Sequence, residues 1–212
     1  ANRSSLERDR AHLVQTMQSH EYNPNNLNEP REVLAQIKNF VREEVTSLQF
    51  SLNALREIIT MLSGLEGKKA IVYVSNGLPM VPGIDLFEAY SSAYDDDSVF
   101  HEAVAYNQSR LFESLVSVAN AQDVTFYTID ASGLKVAGVA SAEYTDSEDM
   151  RAASVGRQNY LDSLRFLADG TGGLAIIDAN DVRTRIDRIE QDLYTYYSIG
   201  YPPVSYTHLR AH

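Results

Sequence analysis

The stretch that decides the fold runs from Lys68 to Gly77, with the sequence KKAIVYVSNG. Its apolar residues, Ala70 to Val74, follow one another without a polar break and are mostly β-branched or aromatic. The run stops at Ser75 and Asn76, which are typical turn residues. A short apolar run of this kind predicts a strand that is buried on both faces of a parallel sheet. Ligands of such sheets bind beyond the carboxyl ends of the strands, so Ser75 and Asn76 are expected at a binding edge.

The rest of the chain alternates helical and extended patterns around this strand. Apolar runs predict two further strands at residues 124–129 and 174–177, and a fourth extended stretch at residues 194–201. Apolar spacing of three and four predicts helices at residues 6–19, 29–62, 101–121, 160–168 and from Asn180 onward. Residues 134–158 show no apolar period and predict a long loop, and the acidic run 95–97 is expected in a solvated loop. Alternation of this kind predicts an α/β fold in which neighbouring strands are adjacent and parallel.

The composition excludes several classes of function. The 212 residues include 18 basic and 29 acidic side chains, which gives a net charge of −11. Nucleic acids and anionic membranes bind clustered Lys and Arg, so neither is expected as a partner. Cysteine is absent, which excludes disulfides, thiolate metal sites and cysteine nucleophiles. No apolar run approaches the roughly 18–20 residues of a membrane span.

Polar residues follow each of the three predicted strands. They are Ser75, Asn76, Asp130, Ser132 and Asp178. Carboxyl ends of parallel strands lie at one edge of a sheet, and hydroxyl, amide and carboxylate oxygens together can bind a hard cation such as Mg²⁺. The same residue types are also what strand-to-helix turns are made of, and their spacing alone does not decide between the two interpretations.

A serine-hydrolase interpretation would make Ser75 the nucleophile. The Gly-x-Ser-x-Gly elbow needs glycine two residues before and after the serine, but Tyr73 occupies the first of these positions and only Gly77 fits. No histidine follows a predicted strand end. The sequence therefore argues against this chemistry.

Four sequence blocks occur in a characteristic order. They are GKKAIVYVSNG at 67–77, VTFYTID at 124–130, LRFLA with TGG at 164–173, and YYSIGY at 196–201. Together they resemble the von Willebrand factor A-related domain of bacterial exported proteins, over roughly residues 50–203. The resemblance implies a Rossmann-like, mostly parallel sheet flanked by helices, of which this chain holds only the later strands. It also implies an extracytoplasmic location, periplasmic or secreted.

The resemblance also implies an incomplete metal site. The family binds a divalent cation through an Asp-x-Ser-x-Ser motif, a Thr and an Asp after its fourth strand, and that Asp aligns with Asn76. The first motif does not occur in this chain, and Asn76 is neutral where the family usually has a carboxylate. Ser75 and Asn76 are therefore expected as a weak, partial site. We expect no cofactor in this chain alone and Mg²⁺ only in the full-length protein.

The sequence predicts three segments and one main function. Residues 1–66 are expected to form a helical hairpin, residues 67–203 the incomplete von Willebrand factor A-like α/β domain, and residues 204–212 a non-native tail. The expected function is non-enzymatic binding of a protein partner, as in adhesion modules. One alternative is a hydrolase-type α/β enzyme with catalytic residues upstream. Another is a helical scaffold that binds partners through residues 29–62.

Overall fold

Three parallel strands form the sheet of this protein, seen here in a computed structural model that describes residues 3–19, 28–132, 147–177 and 182–194. Residues 1–180 make up one unit and residues 181–212 a second. The elements of the first unit are α1 (Arg3–Gln18), α2 (Asn28–Leu62), β1 (Lys69–Ser75), α3 (Ile84–Tyr94), α4 (Val99–Ala105), α5 (Ser109–Ala121), β2 (Val124–Asp130), α6 (Ser147–Gly170) and β3 (Ala175–Ile176). In the second unit, α7 (Val182–Tyr194) is a helix with Ile186, Ile189 and Leu193 at helical spacing.

The sheet order is β1-β2-β3. β1 and β2 pair in parallel without interruption, from Lys69 opposite Val124 to Ser75 opposite Asp130. β2 and β3 are also parallel. The prediction that these three strands are adjacent and parallel is confirmed, and so is the α/β class with helical crossovers between successive strands. The predicted fourth extended stretch begins at Tyr194, which is the last residue of α7, and its remainder lies outside the described residues.

The long helix α2 contributes to two hydrophobic clusters. Val33, Ile37 and Val41, in its first half, pack with buried residues of α1, α3 and α4. Leu48, Leu52, Leu55 and Ile59, in its second half, pack with Phe112 of α5 and Phe126 of β2. The predicted helix at 29–62 is confirmed, since an apolar stripe with helical spacing is stabilised by burial along its length. The predicted division after residue 66 stays a prediction.

The structure corrects the predicted helix at residues 101–121 and adds a helix at residues 84–94 that the sequence did not predict. Residues 84–94, which lack a clear apolar period, form α3, and the helix expected at 101–121 is divided into α4 and α5. The reason is that α3 buries polar as well as apolar side chains: Asp85 and Glu88 are buried beside Leu86 and Phe87. Ion pairs with residues far along the chain make the burial of these carboxylates possible. Because charged residues then occupy buried positions, the helix shows no amphipathic pattern in its sequence. The acidic run 95–97 lies, as predicted, in the turn between α3 and α4.

The prediction of a loop over residues 134–158 is wrong for residues 147–158, which belong to α6. Small residues face the core there: Ala152 is buried, and a side chain on Gly156 would press against the Cβ atom of Asp85. Close approach of two helices requires small residues, so the helix carries no large apolar stripe in this part. Residues 134–146 lie outside the described ranges. In the part of the chain that the structure describes, no helix is long and apolar enough to cross a membrane.

Candidate functional site

The carboxyl ends of β1 and β2 meet at one edge of the sheet, as the sequence predicts. Ser75 and Asp130 are register partners across the two strands. Ser75, Asn76 and Ser132 line the same cleft. The structure therefore brings Ser75, Asn76, Asp130 and Ser132 together at this edge. Asp178 lies outside the described residues.

The cleft at this edge has a volume of about 610 Å³ and is lined by residues of four helices and of the strand ends. The helices are α1, α2, α3 and α6, and residues of the loop after β1 also line the cleft. Apolar side chains in its lining include Leu6, Phe40, Leu48, Leu78 and Leu161. Polar and charged side chains in its lining include Arg10, Glu44, Asp85, Arg157 and Tyr160. The cleft therefore combines an apolar surface with a few convergent polar groups, as ligand sites commonly do.

The loop that follows β1 is fixed to α6. The backbone N–H of Leu78 donates to Ser163 Oγ at 2.9 Å. The side-chain amide of Asn159 accepts from the N–H of Val81 at 2.8 Å and donates to its carbonyl at 2.9 Å. Gly77 has a φ of 89°, and a Cβ atom there would collide with the carbonyl oxygen of the Tyr160 backbone. Only glycine allows the strand end to approach α6 this closely.

Asp130 is held by neighbours on two elements. Its Oδ1 accepts from the backbone N–H of Ser132 at 2.9 Å and from the Ser132 hydroxyl at 2.6 Å. Arg157 of α6 lies 3.5 Å from Asp130 Oδ2 and donates to Ser132 Oγ at 3.1 Å. The Asp130 side chain is only 2% exposed, so this arrangement satisfies a buried carboxylate with a cation and hydrogen bonds.

Glu44 of α2 and Tyr160 of α6 connect two of the helices that line the cleft. The Tyr160 hydroxyl donates to Glu44 Oε1 at 2.6 Å. Glu44 Oε2 is buried and has no hydrogen-bond partner among the described residues. Burial is the main cause that raises the pKa of Glu44 above 4.5, and the nearby Asp85 adds to it, while the Tyr160 hydroxyl opposes it. Burial also raises the pKa of the Tyr160 hydroxyl, and the Glu44 carboxylate raises it further.

A second carboxylate, Asp85 at the start of α3, is paired with α1. Arg10 Nε donates to Asp85 Oδ2 at 2.7 Å, and the guanidinium forms an ion pair with the same oxygen. The side chain of Asp85 is 9% exposed, so the ion pair offsets the cost of burying it. The pair fastens α1 to the core next to the cleft.

The described side chains at the strand ends do not form a fitting divalent-cation site. Ser75 Oγ accepts from the backbone N–H of Gly77 at 3.1 Å, Asn76 is neutral and exposed, and the carboxylate of Asp130 is occupied by Arg157. No group of three or more His, Asp or Glu side chains with metal-binding geometry occurs in the described ranges. A hard cation requires several oxygen ligands, preferably charged. Mg²⁺ binding therefore stays a prediction for the longer protein.

The interpretation of Ser75 as a hydrolase nucleophile gains no support from the cleft, whereas a hydrolase with catalytic residues upstream stays a prediction. None of the described residues that line it is a histidine, and His12 lines a separate hollow between α1 and α2. A serine nucleophile needs a base within hydrogen-bond reach. Ser75 is engaged with Gly77 instead.

Sequence reasoning missed the charged residues of the cleft walls. The burial of Glu44 could have been predicted from the sequence. Glu44 lies three residues after Val41 and four before Leu48, so it falls within the apolar stripe of α2. A carboxyl group in such a position points to a buried, perturbed site. Arg10, Asp85 and Arg157 gave no such signal, since their partners are distant in sequence.

No protein-family model, curated protein or solved structure matches this chain. The architecture supports the coarser assignment of an α/β protein with a small parallel sheet in Rossmann-like arrangement. The resemblance to the von Willebrand factor A-related domain stays a prediction that rests on the four sequence blocks.

Proposed function

We propose that this chain is a non-enzymatic binding module that receives a segment of a protein partner in the cleft at the carboxyl edge of its sheet. The observation that carries the proposal is the cleft itself, which brings apolar and charged side chains from four elements together at the edge where α/β folds bind their ligands. Its volume of about 610 Å³ is enough for a few side chains of an extended segment. A shape of this size suits insertion of anchor residues from a partner.

The charges of the cleft favour a partner segment with a basic residue. Arg10 is paired with Asp85, and Arg157 with Asp130, so the two guanidinium groups are balanced by carboxylates. Glu44 adds a further carboxyl group, and its Oε2 has no hydrogen-bond partner among the described residues. The positive charge of a Lys or Arg side chain in the cleft would favour the ionised carboxylate of Glu44. The apolar lining would accommodate the aliphatic stem of that side chain.

The proposal also includes a family and a location for this chain, which rest on the four sequence blocks. On this view the chain belongs to a von Willebrand factor A-like adhesion domain of a protein that works outside the cytoplasm. In the longer protein, upstream ligands would complete a Mg²⁺ site next to Ser75 and Asn76.

The proposal is tested by selecting displayed random peptides on the immobilised 212-residue chain. We expect enrichment of peptides that combine Lys or Arg with an apolar residue. The blocking variant is Ser47→Tyr, because Ser47 is an exposed residue of α2 that lines the cleft. The matched control is Thr46→Tyr, which changes the neighbouring exposed residue outside the cleft lining.

Binding of the selected peptides should fall at least about tenfold in Ser47→Tyr, which is roughly 1.4 kcal/mol, and remain unchanged in Thr46→Tyr. Amide chemical shifts of Asn76 and Ser132 should change on titration. Equal binding by both variants would place the site elsewhere on the molecule and refute the assignment to the cleft.

One observation favours a second candidate surface on the outer face of α2. Phe50 and Met61 are each 78% exposed, and Ile58 is also exposed. At helical spacing these three residues, with the exposed Ala54, lie on one side of the helix. Large exposed apolar stripes commonly mark protein-binding surfaces, which is what the helical-scaffold alternative requires. Phe50→Ser together with Met61→Ser should abolish peptide binding if this surface, rather than the cleft, is responsible.

A further inference from the structure

The outer edge of β1 presents backbone groups that have no partner strand in the described part of the chain. The N–H of Lys69 donates to the carbonyl of Asp123, and the carbonyl of Ser75 accepts from the N–H of Ala131. Both Lys69 and Ser75 therefore direct their backbone groups towards β2. Because backbone groups of successive residues in a strand point to opposite sides, Ala70, Val72 and Val74 direct their N–H and C=O groups away from β2.

This edge lacks the features by which proteins usually prevent strand pairing. β1 and β2 run in register over seven consecutive pairs without a bulge, so the edge is regular. No charged residue and no proline occurs from Ala70 to Gly77. Val72 and Val74 are 53% and 59% exposed, so the prediction that this strand is buried on both faces is wrong for the face that carries them. Natural edge strands are normally protected by a charge, a proline or a bulge.

We propose that this edge is a self-association surface, at which β1 pairs antiparallel with β1 of a second copy of the chain around a two-fold axis at Val72. In this register Val72 faces Val72 of the second copy, and Ala70 faces Val74 of the second copy. All outward-facing residues of both strands then form hydrogen-bonded pairs, with about six backbone hydrogen bonds in total. The two three-stranded sheets would join into one continuous sheet.

The sequence of the edge is self-complementary in this register. The exposed side chains of Val72 and Val74 project from one face of the strand, and in the pair they contact the apolar Val72 and Ala70 of the second copy. Lys69, the charged residue at the start of β1, comes opposite the neutral Ser75 of the second copy. No like charges face each other, and this favours a second copy as the occupant.

The net charge of −11 on each copy opposes association. Salt screens repulsion between charges on separate molecules, whereas backbone hydrogen bonds and apolar contacts do not depend on such screening. Dimerisation through this edge should therefore strengthen when the salt concentration is raised. An association driven by ion pairs between carboxylates of one copy and basic residues of another would weaken instead.

Sedimentation equilibrium of the 212-residue chain tests the proposal. The average mass should rise with concentration from the monomer value of 23.7 kDa towards twice that value. At higher salt the same mass should be reached at a lower protein concentration. Val72→Pro removes an outward N–H, which edge strands tolerate, and Val74→Lys introduces a protective charge. Each of these two substitutions should raise the dissociation constant of the dimer at least about tenfold. The control Val104→Lys changes a residue of α4 that is also exposed and should leave the constant unchanged.

Hydrogen exchange measured by NMR provides a residue-specific check. Amides of Lys69, Ile71 and Tyr73 should be protected at every concentration, because they bond to β2. Amides of Ala70, Val72 and Val74 should become protected only as the dimer forms. A monomer at every concentration and salt level overturns the proposal, as does a dimer that both variants leave intact. These results are independent of the peptide-binding cleft, because neither Val72 nor Val74 lines it.

Discussion

The Glu44→Gln substitution isolates the energetic effect of one buried carboxyl group. The glutamine side chain keeps the shape of glutamate and an oxygen that can accept from the Tyr160 hydroxyl, which lies 2.6 Å from Glu44 Oε1 in the parent chain. The substitution removes the ability to ionise. Because burial raises the pKa of Glu44 above 4.5, the folded chain holds a proton that the unfolded chain has already lost. Folding stability from this group is therefore complete below pH 4.5 and is lost as the pH rises through the folded-state pKa.

The magnitude follows from the surroundings of the carboxyl group. Ionisation of Glu44 in the folded chain places a charge in a buried position, and this opposes folding. Glu44 has one good hydrogen bond and one buried oxygen without a partner among the described residues, and an unsatisfied buried polar group costs about 1–3 kcal/mol. We therefore expect the free energy of unfolding of Glu44→Gln, relative to the parent chain, to rise by about 1–3 kcal/mol between about pH 4 and about pH 8.

Urea unfolding at several pH values measures this difference. The burial cost of the new amide group is the same at each pH and cancels in the comparison. Glu43→Gln is the matched control, because it removes the same formal charge at the exposed neighbouring residue and should show a much smaller pH dependence. A constant difference between Glu44→Gln and the parent chain at all pH values would show that Glu44 is not held in an unfavourable environment, and would refute the reasoning.

Three further substitutions test the packing that positions the cleft, each by urea unfolding. Thr171→Val should destabilise by about 1–3 kcal/mol, because the buried Thr171 hydroxyl accepts from the N–H of Phe126 at 2.8 Å and valine leaves that donor unpaired. Gly77→Ala should destabilise by more than about 1 kcal/mol, because of its positive φ and its contact with the α6 backbone; a neutral effect would contradict the close approach. Ile59→Ala should cost about 2–5 kcal/mol, since Ile59 is fully buried, whereas Phe50→Ala at an exposed position of the same helix should cost far less.

Local sequence was sufficient to predict the strands and the long helix. The run from Ala70 to Val74 is β-branched or aromatic almost throughout, and side chains of this kind fit the pleated surface of a sheet. The stripe of α2 fixes which face of the helix is buried, because helical periodicity places its members on one side. Order and direction of the strands follow from the helices between them, since a crossover helix requires parallel neighbours.

Local sequence was insufficient where burial depends on partners far along the chain. α3 buries two carboxylates. Asp85 is paired with Arg10 of α1, and Glu88 is paired with Arg151 of α6. Without knowledge of these pairs, two carboxylates on a helix indicate a solvated face. The first half of α6 packs through small residues such as Gly156, and small residues leave no hydrophobic period to detect.

The sequence by itself determined the parallel strands and the placement of Ser75, Asn76, Asp130 and Ser132 at one edge of the sheet. These features depend on the hydrophobic pattern and on chain connectivity, both of which are local properties. Only the tertiary structure decided that Glu44 faces Tyr160 across a cleft and that Arg157 occupies the carboxylate of Asp130. The physical reason is that electrostatic environment depends on burial and on distances between side chains, and residues 116 positions apart in the chain come within hydrogen-bond distance only after folding.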